Sequence, residues 1–238
     1  MPAYNFLGLV NDVNRRLNEV ELTSTTFSGA IGYYAQVKDA VNSAIHDISH
    51  TDFEWPFYHV RVEDTLTAGQ VRYTFPSDAK TVDMDSFHIK RDNSLNTDTR
   101  KLKLISYEEY LNKYLDDEYN TTNTGIRNIP SLVFRTPDLE YGVVDPPDKA
   151  YTVVYEYYKL PIELENHDDV PVFPENFRNV IRGGAMYYAY KFRGDAENAE
   201  LARQKFDRDV KEMRSIYINR YDYVRSTVLV RTPTASRV

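Results

Sequence analysis

The sequence predicts an α+β fold. A helical bundle is drawn from both chain ends, an antiparallel β sandwich or barrel is inserted between them, and an extended C-terminal arm closes the chain. Three patterns predict it. Apolar residues recur at steps of three and four near both ends. The period shortens toward two through the middle. The closing run, YDYVRSTVLVRTPTASRV, carries no helical stripe.

The elements follow in order. Leu7, Val10, Val13, Leu17 and Val20 paint one face of a first helix. Thr23 to Thr26 break the pattern. A second stripe runs through Ile31, Tyr34, Val37, Val41, Ala44, Ile45 and Ile48, so the two helices read as a hairpin. Pro56 disfavours helix at Trp55, and Trp55, Pro56 and Phe57 read as an apolar plug at a domain junction. His59 to Val62 and Val71 to Phe75 alternate around Thr67-Ala68-Gly69-Gln70, the pattern of a hairpin. Val82 to Ile89, Lys101 to Ile105, Ser131 to Arg135 and Tyr151 to Lys159 are further strands. Ser106 caps a short helix from Tyr107 to about Tyr119. Gly142 to Asp148 reads as a proline-stiffened connection.

Pro174-Glu175 starts a helix whose face carries Phe177, Val180, Ile181, Gly184, Ala185, Tyr188 and Phe192. Gly183 and Gly184 each cost about 1 kcal/mol against alanine, tolerable where another helix must come close. Gly194-Asp195 ends that helix and caps the next, along which Ala199, Ala202, Phe206, Val210, Met213 and Tyr217 step. The expected division is 1–55 helical hairpin, 56–171 β-rich insert with one short helix, 172–220 C-terminal helices, and 221–238 arm.

Composition narrows the function. The 238 residues are 42% hydrophobic and 27% charged, the mark of a globular chain with room for a real core. The 20 tyrosines suit half-wet surfaces and core borders. A net charge of -7 argues against nucleic acid as the main ligand but not against a DNA-lined channel, whose wall should be neutral or repulsive. Without cysteine there is no thiolate zinc site, disulfide or cysteine nucleophile. The opening residues do not read as a secretory signal, and mean hydropathy of -0.57 gives no membrane span.

Three constellations could carry chemistry. His46 and His50, at i and i+4, could hold zinc but lack a signalled third ligand. Asp83 and Asp85 share a strand face but lack the rest of a calcium loop. His167-Asp168-Asp169 could serve acid–base work, yet no nucleophile turn or phosphate-cradling loop accompanies it. The stiff Val170-Pro171-Val172-Phe173-Pro174 follows, so the acids read as a polar turn near a helix N-terminus. No catalytic residue, metal or cofactor is expected. The enzymatic alternative is a hydrolase using His167 and Asp168.

Several motifs then fall in a telling order: Glu54-Trp55-Pro56-Phe57, Leu66-Thr67-Ala68-Gly69, Tyr73-Thr74-Phe75-Pro76-Ser77-Asp78, Tyr157-Tyr158-Lys159-Leu160-Pro161, the run from Asp168 to Phe177, and Val180-Ile181-Arg182-Gly183-Gly184-Ala185. In order and character the chain resembles the head-to-tail adaptor proteins of tailed bacteriophages, the tail tubular protein A-like group. The resemblance implies a virion protein at the head–tail interface, made in the host cytoplasm. It implies a ring, usually of twelve copies, that docks under the portal protein, extends the DNA channel and receives the next tail or nozzle protein. DNA would pass without sequence-specific binding. The terminal segment of such adaptors often docks into the portal, which points to Arg225, Val228, Leu229, Val230, Arg231 and Arg237 here. Another neck or tail-completion protein is the alternative.

Overall fold

The computed structural model describes residues 3–51, 53–90, 99–120 and 123–218. The fold is α+β, with seven α-helices and two four-stranded sheets among the described residues. The chain divides into two compact units, one of residues up to Phe53 and from Glu163 onward, the other Glu54–Ile162.

The first unit is helical. It contains α1 (Phe6–Arg16), the short α2 (Ser24–Phe27), α3 (Tyr33–Ser49), α6 (Arg178–Phe192) and α7 (Ala196–Tyr217). Helix α1 stops four residues short of the expected Val20. Asn18 takes a left-handed conformation with φ 57°. Its N–H then reaches the Arg15 carbonyl, and the Glu19 N–H reaches that of Asn14, closing a Schellman turn. Val20 is 74% exposed as a result, and Ile31, placed on the second stripe, lies ahead of α3 and is 83% exposed. The rest of the stripe holds: Val37, Val41, Ala44, Ile45 and Ile48 are buried.

The connections of this unit are held by side chains. Asn11 donates to the Leu22 carbonyl and accepts from the Leu22 N–H, both at 2.8 Å. Asn42 grips Leu164 the same way, at 2.9 and 3.1 Å. Each amide replaces one rung of a β-ladder and so satisfies a segment that has no strand partner. At Gly194 a second Schellman turn ends α6, and Asp195 accepts from the Asn198 N–H at 3.1 Å to cap α7. Gly184 is where three helices close up. A Cβ there would lie 2.8 Å from the Ala44 Cβ of α3 and 2.8 Å from the Phe206 ring of α7. Phe192, assigned to the buried face of α6, is 52% exposed.

The second unit holds β1 (His59–Leu66), β2 (Arg72–Thr74), β3 (Ala79–Lys90), β4 (Thr99–Lys101), β5 (Lys103–Leu104), α4 (Tyr107–Lys113), α5 (Leu115–Tyr119), β6 (Leu132–Arg135), β7 (Glu140–Val144) and β8 (Tyr151–Lys159). The sheets run β1-β8-β3-β4 and β2-β7-β6-β5. The expected hairpin of β1 with β2 does not form. The Tyr73 hydroxyl accepts from the Thr67 N–H and donates to the Gln70 carbonyl, each at 2.9 Å, so a side chain fixes the turn while β2 joins the other sheet. The run from Lys101 to Ile105 is likewise two strands: the buried Leu102 marks the crossing from one sheet to the other.

The β architecture is not purely antiparallel, because β5 pairs parallel with β6. Strand β7 runs into the stretch taken for a stiff connection and takes its first three residues, Gly142 to Val144. Gly142 opposes Phe134, whose ring would stand 2.1 Å from an added Cβ, so the glycine is a packing residue of the strand. The expected single helix from Tyr107 to Tyr119 breaks at Tyr114 into α4 and α5.

One core joins the two sheets. Phe87 of β3 stacks on Tyr155 of β8 at 4.6 Å and meets Tyr141 of β7 at 5.2 Å, and Tyr73 of β2 stacks on Tyr141 at 5.4 Å. Four of the buried tyrosine hydroxyls meet carboxylates. Tyr141 donates to Asp64 at 2.9 Å, Tyr157 to Asp78 at 2.9 Å, and Tyr151 to Asp148 at 2.7 Å. Tyr110 donates to Glu118 at 2.5 Å, which also takes a two-pronged bond from Arg72 at 2.8 and 3.0 Å.

Candidate functional site

The segment from Glu165 to Asp169 works through its backbone. The Asp169 carboxylate accepts from the N–H groups of Glu165 and Asn166 at 2.8 and 2.7 Å, which folds the segment into a tight turn. Those donors hold its carboxyl below the usual aspartate range. The turn then presents two carbonyls to α1. The Phe6 N–H donates to the Asp169 carbonyl at 2.8 Å, and the Leu7 N–H to the His167 carbonyl at 3.0 Å. The Asn5 side chain takes the Gly8 N–H at 2.9 Å. The three helical N–H groups that precede the first intrahelical bond are thus all met. The acids do sit at a helix N-terminus, but it is that of α1, far away in sequence, rather than that of the helix they precede. The His167 ring lies 3.7 Å from Asp168, with both side chains largely in solvent. Nothing in this arrangement positions a nucleophile or excludes water.

The other two constellations also resolve into local structure. The rings of His46 and His50 stack at 3.7 Å, and His50 Nδ1 lies 3.1 Å from the His46 carbonyl at the end of α3. Asp83 and Asp85 do not form a flat strand face, because the β3–β8 register shifts between Asp83 and His88. The Asp85 N–H donates to the Asp83 carboxylate at 3.0 Å, and the Ser86 hydroxyl to the Asp83 carbonyl at 2.6 Å. Among the described residues no group of three or more His, Cys, Asp or Glu is placed to hold a metal ion. No described helix is long and apolar enough to cross a membrane.

Trp55, Pro56 and Phe57 open the β-rich unit. Trp55 is buried, and its ring stacks on Phe57 at 5.7 Å. The arm residues Arg225, Val228, Leu229, Val230, Arg231 and Arg237 lie outside the described residues.

Two charged surfaces of the helical unit escaped the sequence reading. On the first, Asp12 of α1 is only 8% exposed and takes two guanidinium groups, Arg15 and Arg178. The Arg178 contact is 2.5 Å, and Arg178 also donates to the Gly8 carbonyl at 3.1 Å. Arg182 follows one turn later. On the second, a groove of about 480 Å³ runs between α3 and α6. Asp39, Asp47 and Glu163 line it, and Tyr188 donates to Asp47 at 2.6 Å. The spacings were visible in the sequence: Asp12 and Arg15 stand three apart, Arg178 and Arg182 four apart. Their meeting across the fold was not.

No curated protein matches the chain. A protein family does: the model of the SU10 adaptor protein matches residues 4–232, nearly the whole chain, which therefore belongs to that family of phage head–tail adaptors.

Proposed function

We propose that this adaptor forms a ring of twelve copies that docks under the portal, extends the DNA channel and gives the next tail or nozzle protein its platform. The observation that carries this reading is the family match over residues 4–232, which makes the chain a structural adaptor of the phage particle. In this reading the chain contributes two parts to the ring, a bundle built from both chain ends and a β-rich insert folded as a sandwich. The net charge of -7 suits a wall past which DNA moves without sticking.

The basic, β-prone arm at 221–238 is the docking element for the portal in this reading. Val228, Leu229 and Val230 would add a strand or fill an apolar cleft, and Arg225, Arg231 and Arg237 would pair with acidic portal surface. Deleting the chain from Tyr221 onward tests it in a pull-down with purified portal. Loss of capture with the circular dichroism spectrum unchanged is the expected result. Capture at full strength would remove the arm from the interface.

A further inference from the structure

The arginine cluster of the helical unit is oversupplied with charge. Asp12 is the acid at its centre, and Arg15 and Arg178 already occupy it. Arg16 and Arg182 make no ion pair or hydrogen bond among the described residues. Arg16 is exposed and Arg182 half-buried. Burial, and then the nearby charge of Arg16, holds the Arg182 guanidinium below the usual arginine range. A desolvated cation crowded by like charges gains from any anion that docks against it.

The groove between α3 and α6 has the opposite surplus. Asp39 and Glu163 stand in it without an ion pair or hydrogen bond among the described residues, beside Asp47. The two surfaces lie on different flanks of α6. Arg178 faces α1 through Asp12, and Tyr188 faces α3 through Asp47.

Building on the ring reading above, we propose that the Arg16–Arg182 surface of one copy docks into the Asp39–Glu163 groove of the next. A cyclic ring needs two different, complementary surfaces on every subunit, and these two, on different flanks of α6, supply them. Arginine suits the task, since its planar fork matches a carboxylate and sheds water more readily than lysine. Nucleic acid is the less fitting occupant of the basic surface, because a chain of net charge -7 repels a polyanion at longer range.

Charge reversal tests the pairing. Ring formation is measured by electron microscopy on portal-bearing, tailless heads and by mass measurement in solution. The four proteins are the natural chain, Arg16→Glu with Arg182→Glu, Asp39→Lys with Glu163→Lys, and the chain carrying all four changes. Arg16→Glu alone, at an exposed site, guards against misfolding at Arg182. Each two-site variant is expected to need a concentration more than about tenfold higher to assemble. The four-site chain, and an equal mixture of the two-site variants, should recover assembly, because every contact then regains opposite charges. Assembly of the two-site variants at the natural concentration overturns the pairing, as does failure of the mixture to recover. Loss of DNA binding with intact rings would assign the arginines to nucleic acid instead. If the natural chain forms no ring on heads or in solution, the ring reading falls and the pairing with it.

Discussion

The two units are fastened by different chemistry. The helical unit relies on a few polar clamps: Asp12 between Arg15 and Arg178, Asn11 and Asn42 on passing backbone, and the carbonyls of His167 and Asp169 on α1. The β-rich unit relies on tyrosine. Its core stacks aromatic rings from both sheets, and the hydroxyls of Tyr141 and Tyr157 donate to carboxylates. The contrast teaches where each unit is weak. A buried ion pair is most damaged by removing one partner, because the other is left charged and dry. A buried phenol is most damaged by alkali, because the unfolded chain can ionise it and the folded chain cannot.

Asp12→Ala should therefore be the sharpest blow to the helical unit. It leaves Arg178, 13% exposed at its side chain, without its carboxylate and costs about 3–5 kcal/mol. Urea unfolding followed by circular dichroism measures it, and a loss under 1 kcal/mol, on the order of a surface change, would contradict the clamp. Next comes Gly184→Ala. Helix propensity alone would stabilise by about 1 kcal/mol. The new methyl would collide with Ala44 and Phe206, so overpacking should win, for a net loss of about 1–3 kcal/mol in the same titration.

In the β-rich unit Tyr141→Phe removes the hydroxyl that Asp64 accepts and should cost about 1–2 kcal/mol. It also tests the alkali argument. Burial pushes Tyr73 up to about 12 and drives Tyr141 and Tyr155 further in the same direction. A phenol raised in the fold stabilises fully below its unfolded value of about 10. That contribution is lost as the pH climbs from there through the folded value. Stability should hold to about pH 9 and then fall by about 1.4 kcal/mol per pH unit for each such tyrosine. The Tyr141→Phe chain should fall less steeply, and identical slopes would contradict the account.

The smallest effect belongs to His167→Ala. The residue contributes its carbonyl to α1, which alanine keeps, so stability should stay within about 0.5 kcal/mol and ring assembly should be unchanged. A thermal melt and an assembly assay read both.

Much of the fold was legible where one period ran long enough. The stripe from Val37 to Ile48, the Gly194-Asp195 junction and the branched, aromatic run of β8 all form as read. The sheet pairing was not legible. Thr67 to Gln70 looks like a hairpin turn because turn residues are the same whether the next strand stays or leaves, and the Tyr73 hydroxyl that decides it is a long-side-chain contact. Strand β7 was hidden by Gly142, whose reason is the Phe134 ring across the sheet. The His-Asp-Asp cluster was rightly placed in a turn, but its helix could not be identified, since backbone carbonyls leave no signature in side-chain identity. Asp12 with Arg178 and the groove acids likewise depend on helices brought together from the two chain ends.

The central claim is that this chain joins head to tail. Purified protein, shown to be folded by circular dichroism, would be mixed with portal-bearing, tailless heads and imaged by electron microscopy. The account predicts a new ring of density at the portal vertex. Heads that remain bare at that vertex would contradict it and move the protein to a more distal part of the tail.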